Sequence, residues 1–436
     1  MIEAKVINDV KAMMQDTNED EILSSSTKCC SYRVPHTMRD PNNEDAYYYN
    51  PKVVSIGPFH YGNEKLRVME KHKRMFFKRF VKKSETDLED LVRFVTRWES
   101  LVRASYYDEI RLDEKEFVKL ILVDAAFIIE LFMIVHVIRD NKARKHDISK
   151  ELALLEHWWQ EAATKDLILL ENQLPFFIIE RLYKEAFPSA PSERNSNNKI
   201  PSFLHLTFTF FRSYNKNPPQ TEFGEIKHFT DLLRSFFLSY DIWKPEFIED
   251  PHDLLLYSAT ELQEAGVKLK ASTKPGKSLV DLNFSSPPYF EILEIFLEDR
   301  TEILFRNMIA LEQCHYQFNS YITEYAFVMD CLINEHQDVD LLTHKKIIHN
   351  FLGNANGVAD LFNGLRKNIM GEYKISTPYH QIFKELNQYC TRPWNKRMAN
   401  LRRDYCKSAW RTMASTAAIV VILLTLIQTI LAFLQI

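Results

Sequence analysis

The chain of 436 residues is long enough for one large domain or two to three ordinary ones, and its 46% hydrophobic and 26% charged residues exclude wholesale disorder and a polytopic membrane protein. Its formal net charge of −4 excludes the basic signature of a nucleic-acid-binding domain. Only 9 glycines occur beside 30 phenylalanines, a composition that disfavours glycine-rich phosphate loops and favours helices around an aromatic core.

The N-terminal region has the pattern of a loosely ordered segment. Residues 1–27 lack a continuous apolar stretch and end in a run of serines, so we expect no secretory signal peptide there. Proline, asparagine and glycine then punctuate residues 35–62, a region of turns around His60. The six cysteines are scattered without a C-x-x-C pair, which favours a reduced compartment.

The next part of the chain predicts helices. Apolar residues recur at helical spacing over 64–80 and 87–107. Residues 117–138 have the apolar character of a membrane span, but their charges, among them Asp124 and Glu130, make crossing a bilayer costly. We therefore predict a buried central helix, in which Asp124 needs a partner.

Further along, the period of the apolar residues changes twice. Residues 151–187 read as two helices, with Pro175 in the first turn of the second. Three short runs within about 267–297 alternate or are wholly apolar and are separated by turn residues, which predicts a small antiparallel β meander. Helical spacing then returns, and the predicted helices cover 301–314, 321–334, 338–352, 356–370 and 378–411.

The C-terminal segment has the composition of a membrane span. Residues 413–436 carry no charge, and as a helix they would rise about 36 Å, enough to cross a bilayer core of about 30 Å. We therefore expect a transmembrane helix that inserts after translation, as in tail-anchored proteins.

A basic juxtamembrane segment, residues 392–412, precedes the predicted span. Residues 392–411 contain seven basic residues and one acidic residue, so their net charge is +6 and that of the remaining chain is −10. Because Lys and Arg stay on the cytoplasmic side, the bulk of the chain is predicted to face the cytosol, at the plasma membrane or the endoplasmic reticulum. The segment could also attract anionic lipid headgroups. Its basic residues are Arg392, Lys396, Arg397, Arg402, Arg403, Lys407 and Arg411.

The motifs of common enzyme classes are absent from the sequence. There is no G-x-x-x-x-G-K-[ST], G-x-G-x-x-G, H-E-x-x-H or G-x-S-x-G, and the cysteines and histidines match no zinc module, so we expect no cofactor and no metal. A rival hypothesis is an unrecognised enzyme that uses Asp124 or Glu171 with His60. A deep pocket gathering these side chains would favour the enzyme, whereas paired charges in apolar surroundings would favour a structural role.

Several segments occur in an order and with residues that are shared by a known family. They are YRVPHTMRDPNNEDAYYYNPKVVSIGPFHYGNEKLRVMEKHK at 32–73, LVDAAFIIELF at 122–132, DLILLENQLPFFIIERLY at 166–183, ATELQEAGVKLK at 259–270, RTEILFRNMIALEQC at 300–314 and NFLGNANGVADLFNGL at 350–365. With them, nearly the whole chain resembles the plant-specific family called domain of unknown function 247. Two departures are Ala125, where members commonly carry Gly, and Ser408-Ala409-Trp410, where they carry N-P-W.

The resemblance implies a mainly helical domain followed by a C-terminal transmembrane helix, with no established enzymatic activity. Members in grasses are linked to self-incompatibility as pollen-side recognition factors. Within the matching segments, the resemblance implies structural roles for the polar and turn residues Asp124, Glu130, Glu171, Asn172, Gln173, Pro175, Arg306, Glu312 and Gln313.

Together these patterns predict a mainly α fold. A helical domain over 28–391, with its antiparallel meander, precedes the basic segment 392–412 and the transmembrane helix 413–436. The expected function is that of a membrane-anchored, non-enzymatic recognition or scaffold protein. Its expected partners are the lipid bilayer and an unidentified protein, as a homo- or hetero-oligomer, and not nucleic acid. A third hypothesis is a receptor-like protein that faces the cell exterior, and glycan occupancy of the sequon at Asn283 would distinguish it from the others.

Overall fold

A computed structural model gives the fold of most of the chain, in two compact units. Unit 1 comprises Met1–Tyr240, Arg300–Ile322 and Asn368–Met370, and unit 2 comprises Asp241–Asp299, Thr323–Lys367 and Gly371–Ile436. The described residues are 29–39, 46–139, 157–190, 201–215, 225–238, 247–248, 257–272, 278–285, 288–317, 319–367, 369, 375–405 and 409–434. The predicted loosely ordered N-terminus, residues 1–27, lies outside them.

The prediction of a mainly helical fold is confirmed, with 16 α-helices in the described part of the chain. They are α1 (Ala46–Tyr49), α2 (Arg67–Lys83), α3 (Leu88–Arg103), α4 (Glu114–Arg139), α5 (His157–Asp166), α6 (Phe176–Ala186), α7 (Phe203–Phe210), α8 (Phe229–Phe236), α9 (Ala259–Glu264), α10 (Asp299–His315), α11 (Tyr321–Leu332), α12 (His336–His344), α13 (Ala355–Leu365), α14 (Thr377–Cys390), α15 (Pro393–Tyr405) and α16 (Ala409–Leu434).

The described strands are short and belong to unit 2. They are β1 (Phe247–Ile248), β2 (Lys268–Ser272), β3 (Asn283–Ser285), β4 (Tyr289–Leu293), β5 (Ile295–Leu297), β6 (Ile348–Asn350) and β7 (Ile375–Ser376).

Helix α4 forms the core of unit 1. It is apolar on all sides, which is typical of a helix surrounded by protein, and it packs against α2, α3, α6 and α7. Among the described residues it is the one helix that is long and apolar enough to cross a membrane, yet 72% of its most apolar stretch is buried inside the protein. The predicted central buried helix is therefore confirmed.

Phenylalanine side chains fill the space around α4. Phe132 lies at the centre of a ring cluster, with its centroid 4.3 Å from that of Phe210 and 5.4 Å from that of Phe229. Phe203 and Phe211 complete the cluster at 6.0 and 5.8 Å. Offset and edge-on pairs of this kind add to the stabilisation that burial of the rings already provides.

The predicted antiparallel meander is wrong in one of its pairings. Strand β4 lies between β2 and β3, and it pairs antiparallel with β3 but parallel with β2, so that Lys268 lies opposite Tyr289. Apolar alternation shows which residues of a strand face the core, but it does not say which strand lies beside it. Strands β2 and β3 are therefore the two edge strands of this sheet.

Two predicted helices also end where the backbone turns. The predicted helix 338–352 ends as α12 at His344, because the following residues form β6, which pairs parallel with β5. The predicted helix 378–411 is divided into α14, α15 and the start of α16. Pro393 opens α15, since a proline has no N–H for the preceding helix and its fixed φ suits a first turn.

The C-terminal segment is helical as predicted. Helix α16 spans 26 residues, and within it the shorter apolar stretch Thr416–Ala432 stands out by composition. Its described side chains are exposed. The structure thus supports a helix at this position, and its crossing of a membrane stays a prediction.

The end of α12 offers a test of local backbone strain. The N–H groups of Lys346 and Ile347 donate to Thr343 and Leu342 at 2.9 Å, the pattern of a Schellman motif, and Lys346 has a φ of 59° where glycine is usual. Lys346→Gly should raise the free energy of unfolding by about 0.5–1 kcal/mol, as measured by denaturant titration. Lys345→Gly, at a residue with a φ of −77°, should lower it, and stabilisation by both substitutions would contradict the assignment.

Candidate functional site

A buried polar segment forms the centre of unit 1. Residues 166–175, with the sequence DLILLENQLP, connect α5 to α6 and are here called the polar loop. Every one of these residues is buried. A buried segment without regular structure leaves backbone N–H and C=O groups unpaired unless other groups bond to them, at a cost of about 1–3 kcal/mol each. Polar side chains from within the loop supply many of these partners.

Asp166 opens the loop and holds the chain that approaches it. Its Oδ1 accepts the N–H of Lys52 at 2.8 Å, and its Oδ2 accepts those of Val53 and Val54 at 2.7 and 2.8 Å. Burial raises the pKa of Asp166 to about 6, although these three donors favour the carboxylate. Through these three hydrogen bonds Asp166 attaches residues 52–54 to the polar loop.

Asn172 and Gln173 continue this pattern with neutral amides. Asn172 accepts the N–H of Ile56 at 2.8 Å and donates to the carbonyl oxygen of Val54 at 3.0 Å. Gln173 donates to two carbonyl oxygens of the loop itself, those of residues 167 and 169, at 2.8 and 2.7 Å. Its Oε1 also accepts the N–H of Phe229, at the start of α8.

Glu171 joins three charged or polar groups. It accepts the N–H of Val34 at 2.7 Å and pairs with Arg39 at 2.5 Å, and its Oε2 lies 3.3 Å from Nε2 of His60. Burial alone would raise the pKa of Glu171, but the neighbouring imidazole of His60 and the charge of Arg39 hold it below its usual value. The structure thus brings His60 and Glu171 together, as the enzyme hypothesis requires.

Asp124 on α4 has a different partner. Its Oδ1 pairs with Nζ of Lys73 at 2.5 Å, and its Oδ2 accepts the N–H of Gly57 at 2.9 Å. Burial raises the pKa of Asp124 to about 6 against the opposing charge of Lys73. Burial would lower the pKa of Lys73, but the charges of Asp124 and Glu70 hold it above its usual value. Lys73 thus supplies the partner that a buried Asp124 needs.

The remaining predicted motif residues lie in separate contacts. Glu130 is fully buried, and its Oε1 accepts hydrogen bonds from Nε of Arg79 at 2.8 Å and from Nζ of Lys83 at 2.6 Å. Pro175 is the N-cap of α6 rather than a residue of its first turn. On α10, Arg306 forms an ion pair with Glu302. Glu312 forms an ion pair with Arg234 and accepts a hydrogen bond from the N–H of Ile322. Gln313 is half-buried.

Sequence reasoning missed several members of this network. Asn307 on α10 accepts the N–H of Leu170 at 2.9 Å and donates to the carbonyl oxygen of Tyr48 at 2.8 Å. Asp166 and Lys73 were likewise not singled out. The signal that could have found Asn307 is a short uncharged polar residue inside the apolar run of a helix, where an amide without partners would be costly.

An open groove lies beside the turn that carries His60. It has a volume of about 560 Å³ and is lined by Phe59, Tyr61 and residues 108–112, together with Arg33. Arg33 lies over the ring of Phe59 and pairs with Asp108 at 2.9 Å. His60, Glu171 and Asp124 are not among its lining residues. The groove therefore does not gather the acid and base groups that the enzyme hypothesis names, and the paired charges fit a structural role.

One residue of the basic segment before α16 forms hydrogen bonds with the end of α9. Arg402 donates from Nη1 to the carbonyl oxygens of Gln263 and Glu264 at 3.2 and 3.0 Å. Arg402 is nevertheless exposed, as are Arg392, Lys396, Arg397 and Arg403. Lys407 lies outside the described residues, and the side chain of Arg411 does as well.

The turn at Gly57 tests the close fit of the polar loop. Gly57 has a φ of 72°, and a Cβ there would stand inside the van der Waals distance of the carbonyl oxygen of Gln173. Gly57→Ala should therefore lower the free energy of unfolding by about 3 kcal/mol or more, in a denaturant titration. Gly62→Ala is the matched control, because Gly62 has a φ of 77° but nothing within 4 Å, and it should cost about 1–2 kcal/mol. Equal losses would contradict the close approach.

His228 makes the start of α8 sensitive to pH. It is fully buried, its Nδ1 accepts the N–H of Asp231 and its Nε2 donates to the carbonyl oxygen of Cys30. Burial lowers the pKa of His228 from 6.5 to about 4. The unfolded chain therefore binds a proton between these values that the folded chain does not, and folding stability falls as the pH falls from 6.5 toward 4.

The expected size of this effect is about 3 kcal/mol. The unfolding free energies of the wild type and of His228→Asn should be measured at each pH. We expect the difference between them to decrease by about 3 kcal/mol as the pH falls from 6.5 to 4. Ser202→Ala removes the cap of α7 without a titrating group, so its cost should stay constant with pH. An advantage that does not change with pH would refute the role of His228.

Comparison with known proteins places the chain in a family. A family profile described as a plant protein of unknown function matches residues 32–424. The chain is 28% identical over 449 residues to the UPF0481 protein At3g47200 of Arabidopsis thaliana, covering 95% of this chain and 88% of that protein. It is 21% identical over 515 residues to the UPF0481 protein At3g02645 of the same plant, covering 97% and 93%. No solved structure matches the chain. It belongs to the plant family of unknown function called domain of unknown function 247.

Proposed function

We propose that the chain is a membrane-anchored, non-enzymatic recognition or scaffold protein. The observation that carries this proposal is the exposed apolar surface of α16. Its large apolar side chains between Met413 and Leu434 are 48–77% exposed. Covering one such side chain is worth about 1.5–3 kcal/mol, so a surface of this size calls for an apolar environment.

The length and composition of α16 fit a bilayer as that environment. Its apolar stretch Thr416–Ala432 rises about 26 Å, and the uncharged residues 412–434 together rise about 35 Å, which can be compared with a hydrocarbon core of roughly 30 Å. The sequence carries no charge after Arg411. The basic residues ahead of it favour the cytosolic side for the rest of the chain, at the plasma membrane or the endoplasmic reticulum.

The groove of unit 1 supports the recognition part of the proposal. Tyr61 at its edge is 42% exposed, and the neighbouring Tyr107 is 73% exposed. Tyrosine and arginine are enriched at protein interfaces, where an aromatic body and a polar tip can both find partners. A protein partner, in a homo- or hetero-oligomer, is therefore the occupant that we propose for this groove. A recognition role like that linked to family members in grasses is compatible with it.

The contact of His60 with Glu171 is the observation that favours the enzyme alternative. A carboxylate can orient an imidazole as a general base. However, Glu171 also accepts a hydrogen bond from the N–H of Val34 and forms an ion pair with Arg39. Neither Glu171 nor His60 lines the groove. These contacts support a positioning role for the pair. The receptor-like alternative has less support, because Asn283 lies within strand β3 and its side chain donates to Glu291 at 3.4 Å.

Charged substitutions in the middle of α16 test the anchor. In plant membranes, the wild-type chain should stay in the pellet after alkaline carbonate extraction. Leu423→Arg with Leu424→Arg should release it, because each arginine at the centre of a span costs about 2.5–3.5 kcal/mol. The matched control, Leu423→Ala with Leu424→Ala, should stay in the pellet. Release of the wild type, or retention of the arginine variant, would contradict the anchor.

The same variants test the role of the anchor in recognition. Proximity labelling should give the wild type and the alanine variant a common set of neighbouring proteins, and the arginine variant should lose it. Identical sets for all three would contradict a function that depends on anchoring.

A further inference from the structure

Unit 1 has a second open cavity, at the end of α5. Its volume is about 370 Å³, and Leu169 and Ile303 contribute apolar side chains to its wall. None of the residues described around it also lines the groove beside the turn of His60. A concave site of about 300–1,000 Å³ with a few convergent polar groups is typical of small-molecule binding. The polar groups of this cavity therefore indicate what it could bind.

Lys52 brings a cation to the cavity. Its Nζ lies 4.5 Å from the centroid of the Tyr47 ring, and no carboxylate of the described residues forms an ion pair with it. Partial burial lowers the pKa of Lys52 against the opposing charge of Asp166, and the charge of Lys65 lowers it further. An ammonium that has lost part of its water and has no counter-ion gains from an anion placed beside it.

Lys165 brings a second cation. Its Nζ pairs with Oε1 of Glu161 at 3.1 Å, one turn earlier on α5. The side chain of Glu161 is 76% exposed, and such a pair on a helix surface contributes little because water screens it. A ligand can therefore replace Glu161 as the partner of Lys165.

Asn50 adds an amide to the same cavity. Among the described residues, its side chain has no hydrogen-bond partner. By contrast, both oxygens of Asp166 already accept backbone N–H groups. An ammonium has three N–H donors and no acceptor, and an amide has two donors, so the groups that remain without partners are mainly donors. They call for a ligand that carries negative charge and several acceptor oxygens.

We propose that this cavity binds a phosphomonoester. The phosphate oxygens accept hydrogen bonds from Nζ of Lys52, Nζ of Lys165 and the amide of Asn50, and the organic part lies against the half-exposed ring of Tyr47. A phosphomonoester has a charge of about −1.5 to −2 at neutral pH and three terminal oxygens, so it suits two cations and an amide better than a carboxylate does. The proposal goes beyond the membrane anchor and does not depend on it.

The first test titrates the full-length chain in detergent micelles with phenyl phosphate, followed by calorimetry. The wild type should bind phenyl phosphate at least about fivefold more tightly than phenyl sulfate, which has the same shape but a single charge. K52Q/K165Q should weaken the binding of phenyl phosphate at least about tenfold, because it removes two charge-assisted hydrogen bonds. K115Q/K119Q removes the same charge from exposed positions of α4 outside the cavity and should leave the affinity unchanged.

Glu161 gives a second test, in which binding should improve. E161Q should tighten the binding of phenyl phosphate at least about threefold, because it removes the competing partner of Lys165 and a charge that repels the anion. E116Q, at an exposed position of α4, is the matched control and should not change the affinity. An affinity that is weaker or unchanged in E161Q, or an equal loss in the two double lysine variants, would overturn the proposal.

Competition identifies the source of the phosphate. Glycerol 3-phosphate and a short-chain phosphatidic acid carry the same phosphomonoester group on a soluble molecule and on a lipid. Displacement of phenyl phosphate by either one supports the site, and the stronger competitor shows whether the group comes from solution or from a lipid headgroup. Failure of both to displace it would overturn the proposal. None of these readouts requires insertion of α16 into a bilayer, so failure of this site and failure of the anchor are distinguishable.

Discussion

The buried polar loop of residues 166–175 is the constraint on which unit 1 depends. A loop normally lies on the surface, because water satisfies its backbone groups there. Here the loop is buried, and side chains at Asp166, Asn172 and Gln173 take the place of water. Asp166 and Asn172 also bind the segment that leads to Gly57 and His60, Gln173 binds the start of α8, and Asn307 attaches α10. Removing one of these side chains leaves both the loop and its partner segment unsatisfied.

The buried charged residues beside the loop are likewise paired with other groups of the protein. A buried carboxylate is tolerated only with a cation or several donors, and Asp124, Glu130 and Glu171 each have at least one cation. Such a set resembles an acid–base site when it is read from the sequence. In the structure the members face different partners and lie outside the groove, so the same residues explain packing between segments that are far apart in the chain.

The sequence could predict the parts that depend on local patterns. Apolar spacing gave the long helices, and the charges within residues 117–138 correctly identified α4 as a buried helix. It could not predict that β2 pairs parallel with β4, because alternation carries no information about neighbours. Nor could it predict that Asp166 binds the N–H of Val54 or that Asn307 binds the polar loop, since these hydrogen bonds join residues more than a hundred positions apart. Pairing across such distances is decided by packing.

The dependence of unit 1 on the polar loop is tested most directly by native-state hydrogen exchange. We expect the amides of Val54, Ile56 and Gly57 to exchange only through global unfolding, with the same free energy as amides of α4. Exchange of these amides through a local opening of much lower free energy, while α4 stays protected, would show that the loop does not hold the unit together.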